Sequence, residues 1–253
     1  MRRIKSVLIA TAVAVGLSFS VGANAADKLK IGTEGAYPPF NFIDESGELK
    51  GFDVEIAGAL CAAMKVECEF IEQDWDGIIP ALLAKKFDAI VASMSVTEER
   101  KQSVAFTDRY YSNLIRFVGP KGQTIDTSLE GLKGKSIGAQ RATVAGSYLE
   151  DKLGSDASIK LYDTQENANL DLVSGRLDLL FADGLVMYEW LKSKDGEAFQ
   201  FYGEGLSLDE GIAIALRKED EELRGKINEA IKAIRADGTY EKINAKYFPF
   251  SIY

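Results

Sequence analysis

Apolar runs alternate with amphipathic segments along most of the chain. Short apolar runs bounded by turn residues predict buried strands at 28–33, 66–72 and 135–139. Apolar residues at helical spacing predict a helix that Asp53 N-caps and that reaches about Met64. Strands that alternate with helices are typical of an α/β fold, so we expect sheets with helices packed on them.

The second half of the chain continues this alternation. Thr143 and Thr164 are suited to N-cap two further helices, and Asp183 begins another. Residues 203–211 are rich in turn formers and predict a return crossing, which an apolar strand at 212–216 follows. The two final helices have no strands of their own, so we expect them to pack on the first part of the fold.

One helix–turn–strand pattern occurs twice, 90 residues apart. Residues 81–93 and 171–183 each combine a helix end, a tight turn, a large apolar residue followed by Asp, and an apolar strand. Asp183 therefore corresponds to Ser93, and both follow strands at the end where open α/β sheets bind ligands. The repeat predicts two similar lobes; the alternative is that any two such units look alike.

The segment after the first of these strands has the composition of an anion-binding corner. Ser93 and Ser95 follow the strand, Thr97 is suited to N-cap a helix, and Arg100 stands in its first turn. A cation in that turn opposes the helix dipole, so Arg100 is best explained if it faces an anion. Hydroxyls, helix N–H groups and a guanidinium together suit a carboxylate. The alternative is a solvated arginine beside two strand-end serines.

The amino terminus has the three parts of a secretory signal peptide. Arg2, Arg3 and Lys5 form a basic region, an apolar run covers about residues 7–19, and small residues end at Ala25. We predict cleavage after Ala25 and export to the periplasm. No other run approaches the roughly 18 apolar residues that span a bilayer, so we expect no membrane insertion.

The composition of the chain argues against several classes of function. The net charge of −9 disfavours binding to nucleic acid or to an anionic membrane. The chain has no histidine, which removes Ser-His-Asp and Cys-His catalysis and His-ligated zinc, and we expect neither a metal nor a cofactor. Two cysteines, Cys61 and Cys68, predict a disulfide in an exported protein; two buried free thiols are the alternative.

Seven short phrases are weak one by one but specific in their order and spacing. They are Gly32-Thr33-Glu34, Tyr37-Pro38-Pro39-Phe40, Gly51-Phe52-Asp53, residues 76–82, residues 93–100, Asp237-Gly238-Thr239-Tyr240 and Lys246-Tyr247-Phe248. Through them the chain resembles the extracytoplasmic polar amino-acid solute-binding proteins of ABC importers, over essentially the whole mature chain. Within that family it is most similar to the lysine/arginine/ornithine- and histidine-binding branch.

The resemblance implies an α/β, two-lobe periplasmic-binding-protein-like fold of type II, with two hinge crossings and a ligand cleft between the lobes. We expect the signal peptide to cover residues 1–25, the first lobe 26–112 and 208–253, and the second lobe 113–207. The resemblance also implies that Cys61 and Cys68 form a disulfide. We expect a monomer whose partners are a free amino acid and an inner-membrane ABC permease.

The resemblance also implies roles for individual residues. Those expected to hold the ligand α-carboxylate are Arg100, Ser95 and Thr143, the last through its hydroxyl or its backbone. Those expected to hold the α-ammonium are Asp183 and the backbone around Ser93. The ligand side chain would meet Glu34, Tyr37 and Trp75. Weaker candidates are Ala92, Met94, Gln140 and Arg141.

Two of these positions depart from the family pattern. Ala92 stands where close relatives often carry serine, and Arg141 stands where glycine is common. The first change removes a hydroxyl from the distal pocket, and the second adds a cation near the cleft. Arg141 is expected to face water; if it faces the cleft instead, a ligand with a second carboxylate becomes possible.

These residues favour a non-catalytic binding protein. A buried zwitterion needs both charges paired, and Arg100 with Asp183 would supply the partners. Glu34 and an aromatic wall suit a cationic side chain, so the expected ligand is arginine, lysine, ornithine or histidine. Glutamine or an opine is the alternative ligand. The alternative class is an enzyme like cyclohexadienyl dehydratase, which shares the fold but needs a general acid in the cleft.

Overall fold

The computed structural model describes residues 28–253. The signal peptide expected over residues 1–25, with its cleavage site, lies outside the described residues. Within the described part, no helix combines the length and the apolar character needed to cross a membrane.

The described residues form short strands. They are β1 (Lys28–Thr33), β2 (Ala36–Tyr37), β3 (Asn41–Ile43), β4 (Leu49–Lys50), β5 (Glu67–Glu72), β6 (Ala89–Ile90), β7 (Ala105–Phe106), β8 (Ile115–Pro120), β9 (Ser136–Gln140), β10 (Ser158–Tyr162), β11 (Leu179–Asp183), β12 (Phe199–Leu206) and β13 (Ala215–Leu216). The strand expected at 28–33 is β1 itself, and β5 and β9 match the other two expected strands within a residue.

Helices connect most of these strands. They are α1 (Phe52–Met64), α2 (Ile78–Leu83), α3 (Glu98–Lys101), α4 (Val144–Leu153), α5 (Gln165–Val173), α6 (Gly184–Trp190), α7 (Glu221–Ala236) and α8 (Thr239–Tyr247). The three expected threonine N-caps are confirmed, because the hydroxyls of Thr97, Thr143 and Thr164 each accept from a backbone N–H in the first turn.

Two five-stranded sheets have the same arrangement. The first has the order β5-β1-β6-β13-β7 and the second β10-β9-β11-β8-β12. In each sheet the first three strands are parallel, and the last two are antiparallel to their neighbours. A small antiparallel sheet, β2-β3-β4, sits beside the first. The α/β, two-lobe fold is therefore confirmed; we call the part built on the first sheet lobe 1 and the other lobe 2.

The chain passes between the sheets twice, once from β7 to β8 and once from β12 to β13. These passages fall within residues 107–114 and 207–214, which we call the two crossings. The expected lobe boundaries lie inside the crossings and stay predictions. Because β6 and β11 are the central strands of their sheets, their carboxyl ends place the following residues at corresponding edges of the two lobes.

Some local predictions are wrong. Asp53 does not N-cap α1: Gly51 is the cap residue, and the Asp53 side chain instead turns into the core. The expected turn-rich crossing at 203–211 begins later, because β12 continues to Leu206. Of the expected strand 212–216, only the last two residues form β13, while Ile212 makes isolated bridges.

The two final helices pack on lobe 1, as expected. Ile227, Ile231 and Tyr240 join the core cluster that contains Phe52 of α1. The disulfide is also confirmed: Cys61 in α1 and Cys68 in β5 are bonded, with their Cα atoms 5.8 Å apart. This bond ties α1 to the edge strand of the first sheet.

Candidate functional site

A cavity with about 300 Å³ of empty space, which includes its opening to solvent, lies between the two lobes, and we call it the cleft cavity. Lobe 1 lines it from the ends of β1 and β6, the β2 loop and α3, and lobe 2 lines it from the ends of β9 and β11. The predicted site residues that line it are Glu34, Tyr37, Trp75, Ala92, Ser93, Ser95, Arg100, Gln140, Thr143 and Asp183. The strand ends thus bring together residues up to 149 positions apart in sequence.

Arg100 is fixed by contacts on both sides of the cleft. Its backbone N–H donates to Thr97 Oγ1 (3.2 Å), and its Nη1 donates to the carbonyl oxygen of Ser95 (2.9 Å). Its Nη2 donates to the carbonyl oxygen of Ala142 in lobe 2 (3.0 Å), and its Cζ lies 5.2 Å from the Trp75 ring centroid. Burial lowers the pKa of Arg100, but a guanidinium titrates far enough above neutrality to stay charged.

Asp183 ends β11 and is buried, with 8% of its surface exposed. The Tyr37 hydroxyl donates a hydrogen bond to its carboxylate. Burial raises the pKa of Asp183 to about 7; the charge of Asp209 adds to the rise, while Tyr37 and Arg100 oppose it. A cationic partner beside Asp183 would therefore favour the ionised form of this carboxyl.

Glu34, directly after β1, contributes a second buried carboxyl. Gln140 Nε2 of lobe 2 donates to Glu34 Oε1 (2.7 Å) and also to the carbonyl oxygen of Asp163 (3.1 Å). Burial raises the pKa of Glu34 to about 7, the Gln140 hydrogen bond opposes the rise, and the charge of Asp74 adds to it. An ammonium or guanidinium placed beside Glu34 would bring the pKa down again.

Tyr37 and Trp75 form aromatic walls of the cavity. Both are largely buried, and Tyr37 precedes the cis Pro38–Pro39 bond. Trp75 Nε1 donates to the carbonyl oxygen of Ala142 (3.1 Å), so this one carbonyl accepts hydrogen bonds from two lobe 1 side chains. Polar contacts at their edges hold both rings in place, and the Arg100 guanidinium already lies over the Trp75 ring.

Thr143 stands at the start of α4, where the one hydrogen of its hydroxyl is already donated. Its Oγ1 donates to the carbonyl oxygen of Gln140 (2.7 Å) and accepts from the backbone N–H of Gly146 (3.1 Å). The first N–H groups of a helix have no partner within the helix. At this helix start, beside Val144, the backbone rather than the hydroxyl is the available donor to an anion.

Ser93 and Ser95 lie on the opposite wall. Ser93 has a left-handed backbone conformation (φ 52°), and its Oγ donates to Asp53 Oδ2 (2.9 Å). The Ser93 hydroxyl therefore serves the interior of lobe 1, and its backbone is the part that a ligand can reach. Ser95 is buried and forms an isolated β-bridge with Ile212, which lies in the second crossing.

Comparison with known proteins identifies the architecture. The model of the bacterial extracellular solute-binding proteins, family 3, matches residues 29–250. The chain belongs to this family. The resemblance inferred from the sequence is thereby confirmed, and the family places the protein outside the cytoplasm.

Individual family 3 relatives cover most of the chain. An L-arginine-binding protein of Pseudomonas aeruginosa is 45% identical over 236 residues, which are 90% of this chain and 91% of the relative. A lysine/arginine/ornithine-binding periplasmic protein of Escherichia coli is 35% identical over 98% of this chain and 99% of the relative. A solved structure of an ancestral arginine-binding protein bound to arginine superposes with a TM-score of 0.83 at 38% identity, covering 88% of this chain and 99% of that chain.

Two candidate residues of this family 3 protein lie outside the cleft cavity. Met94 has no exposed surface and packs in a core cluster with Trp75 and Val104. Arg141 does not line the cavity; its Nη2 lies 3.0 Å from Asp163 Oδ1, and 44% of its side chain is exposed. The expectation that Arg141 faces water agrees with this placement.

Two residues of the cavity region were missed by sequence reasoning. Val144 lines the cavity at the start of α4. Ala142 contributes only its carbonyl oxygen, which it presents from a left-handed backbone conformation (φ 55°). The side chain of Ala142 does not indicate where its carbonyl group points. The one sequence signal for this residue is its place in the loop before the Thr143 cap.

Proposed function

We propose that the protein captures a basic amino acid, arginine foremost, in the cleft cavity and delivers it to an ABC permease of the inner membrane. One observation carries the proposal: Arg100 of lobe 1 and Asp183 of lobe 2 line one small cavity that also contains the carboxyl of Glu34. A cation and a carboxylate on facing lobes suit the two charges of an amino acid, and the second carboxylate suits a cationic side chain.

The α-carboxylate is assigned to Arg100, Ser95 and the start of α4 at Thr143. Arg100 makes a single hydrogen bond across the cleft, to the Ala142 carbonyl, and a ligand carboxylate would be a stronger acceptor. A guanidinium that changes from a backbone carbonyl to a carboxylate gains a charge-assisted bond. The helix start adds backbone donors from the other lobe, so the carboxylate would hold the lobes together.

The α-ammonium is assigned to Asp183 and the Ser93 backbone. Asp183 is buried, so an ionised carboxylate there benefits strongly from a cationic partner. Tyr37 already donates one hydrogen bond to the Asp183 carboxylate, and an ammonium would donate to its remaining lone pairs.

The ligand side chain is assigned to Glu34, Tyr37 and Trp75, with Ala92 and Gln140 beside them. A guanidinium is planar and stacks on aromatic rings, which suits the faces of Tyr37 and Trp75. The relatives named for arginine support this choice of ligand. A micromolar ligand requires only about 8 kcal/mol, and charged hydrogen bonds contribute about 1.5–3 kcal/mol each, so the clamp alone would supply much of the affinity.

The proposal includes the finer features that the family alone does not specify. The mature protein would begin after Ala25, act as a monomer in the periplasm and close two lobes bounded at residues 112/113 and 207/208. It would perform no catalysis, since the cavity offers a complete set of partners for a zwitterion and no histidine.

The test is calorimetric titration of the mature protein, freed of bound ligand, with arginine, lysine, ornithine, histidine, glutamine, glutamate and octopine. Arginine is expected to bind at micromolar concentration or tighter, and glutamate not at all. The assignment fails if no basic amino acid binds at millimolar concentration. Arg109→Gln, an exposed arginine outside the cavity, is the matched control for Arg100→Gln.

One observation favours a second candidate, the dehydratase-like enzyme. Glu34 has a pKa of about 7 in a buried cavity, which is the property of a general acid. Turnover of prephenate or arogenate that Glu34→Gln abolishes would establish this activity. We expect no turnover with either compound, because Arg100 and Asp183 complete an amino-acid clamp that such an enzyme lacks.

A further inference from the structure

A second cavity, of about 1000 Å³ and open to solvent, lies on the crossing side of the molecule. We call it the hinge cavity. Both crossings contribute to its lining, through Ser112 and Ser207, together with β8, α6 and the segment 250–253. It shares no lining residue with the cleft cavity.

Arg116 is the single charged side chain that lines the hinge cavity among the described residues. Its Nη2 donates to the carbonyl oxygen of Gly203 (3.0 Å), and its Cζ lies 4.4 Å from the Phe201 ring centroid. Its Nε is buried without a hydrogen-bond partner, and no carboxylate of residues 28–253 forms an ion pair with it. The Arg116 guanidinium therefore keeps at least one N–H donor that no acceptor of the described chain takes up.

The chain holds the Arg116 stem in one place. A Cβ atom on Gly184 would lie 2.9 Å from Arg116 Cγ, and one on Gly205 would lie 2.9 Å from Arg116 Cδ. The stem therefore runs between two glycines that leave room for nothing larger. A guanidinium that is stacked on one face and wedged along its stem is preorganised to bind, because little rotamer freedom remains to be lost.

The rest of the hinge cavity is apolar. Leu114, Phe250 and Tyr253 line it with 48%, 43% and 41% of their surface exposed. They are three of the eight large apolar side chains that are exposed in the described chain, so exposed apolar surface is concentrated here. Concave apolar walls with one placed charge are characteristic of small-molecule sites.

We propose that the hinge cavity is a second ligand site, which takes a small aromatic monocarboxylate. The carboxylate pairs with the Arg116 guanidinium, and the ring packs against Tyr188 and Phe250. Arg116 is the one cationic side chain in the lining, and no acidic side chain lines it, so a carboxylate ligand would gain an ion pair with Arg116. The hinge cavity and the cleft cavity have different lining residues, so this proposal does not rest on the proposed function.

The test uses phenylacetate as the probe, titrated into the protein by calorimetry and by ¹H–¹⁵N NMR. Phenylacetate is expected to bind with a dissociation constant of about 1 mM or tighter, and shifts should be concentrated at residues 112–116, 184–188 and 250–253. 2-Phenylethanol, which lacks the charge, should bind about tenfold more weakly or worse, as should acetate, which lacks the ring. This comparison needs no variant, so it holds even if a substitution impairs folding.

Three arginine variants locate the site. Arg116→Gln should weaken phenylacetate about tenfold or more, whereas Arg109→Gln and Arg100→Gln should leave it unchanged. The proposal is overturned if phenylacetate does not bind at about 10 mM. It is equally overturned if Arg116→Gln binds the probe like the wild type, or if Arg100→Gln abolishes binding and the shifts lie at the cleft. A failed arginine titration would count against the proposed function and leave this result untouched.

Discussion

The two sheets share one strand arrangement, yet their corresponding strands end in different chemistry. β6 and β11 each lie between a parallel and an antiparallel neighbour. Beyond β6 stands Ser93, whose hydroxyl donates to a carboxylate in the interior of lobe 1. At the end of β11 stands Asp183, which itself faces the cleft cavity. At corresponding positions of the two sheets, lobe 1 therefore has a serine that binds the buried carboxylate of Asp53, and lobe 2 has the carboxylate of Asp183, which faces the cleft cavity.

The partners of the two buried carboxylates explain the difference. Asp53 accepts hydrogen bonds from Asn41 Nδ2 (3.1 Å), Ser93 Oγ (2.9 Å) and the Tyr110 hydroxyl (2.6 Å). Burial raises the pKa of Asp53 to about 6, and these three donors oppose the rise. A carboxylate whose lone pairs accept hydrogen bonds from protein donors stabilises the fold. A carboxylate with free lone pairs can accept hydrogen bonds from a ligand.

The largest predicted effect separates these two carboxylates. Asp183→Asn should weaken arginine binding by about 2–5 kcal/mol, because it leaves the ligand ammonium without a counter-charge. Asp53→Asn should instead lower the free energy of unfolding by about 1–3 kcal/mol, because it disturbs a filled network, and change affinity less than about threefold. Calorimetry and urea unfolding measure the two quantities. Equal losses of affinity in both variants would contradict the distinction.

Glu34→Gln tests the side-chain end of the cavity. The variant keeps the shape and the contact with Gln140 but removes the charge, so arginine should lose about 1.5–3 kcal/mol of binding free energy. Glutamine should lose much less, because its amide does not need a carboxylate. Titration of both ligands into both proteins gives the comparison, and losses of similar size would remove the case for a cationic side chain.

The pH dependence follows from the two carboxyls with a pKa of about 7. A cationic ligand favours their ionised forms, so binding lowers both pKa values and releases protons near pH 7. Affinity should therefore fall as the pH is lowered from 8 to 5, by up to about tenfold per pH unit for each group. Titrations in buffers of different ionisation heat count the protons. Proton uptake, or an affinity independent of pH, would show that these carboxyls do not meet the ligand charges.

The smallest effect is expected at Arg141. Its guanidinium pairs with Asp163 on the surface of lobe 2, so Arg141→Gly should change the affinity for arginine less than about threefold. Octopine provides the sharper comparison, because its second carboxylate would need a cation near the cleft. If this variant lost octopine binding but kept arginine binding, the result would support an opine as the ligand.

Local side-chain chemistry was the most predictable part of the fold. Thr97, Thr143 and Thr164 were identified as caps because an N-cap bond joins residues three apart and depends on little else. Asp53 looked like a fourth cap, but its partners Asn41, Ser93 and Tyr110 are distant in sequence, and no local pattern indicates them. Tertiary contacts overrode a local preference at this position.

The candidate site was predictable where side chains carry the chemistry and unpredictable where the backbone does. Arg100 is predictable because a cation is unexpected in the first turn of a helix, and Asp183 is predictable because the internal repeat places it at the position of Ser93. The carbonyl of Ala142 was not, although it accepts from Trp75 and Arg100 across the cleft. β12 was missed for a related reason, since Gly203 and Gly205 indicate a turn when the strand pairing is unknown.

The central claim is that Arg100 and Asp183 act as one clamp on the two charges of an amino acid. It is tested most directly by titrating wild type, Arg100→Gln and Asp183→Asn with arginine, with agmatine, which lacks the carboxylate, and with Nα-acetylarginine, which lacks the ammonium. Arg100→Gln should cost about 2 kcal/mol or more with arginine and almost nothing with agmatine, and Asp183→Asn should show the same contrast with Nα-acetylarginine. If each variant weakens all three ligands equally, the two residues do not hold the charges assigned to them.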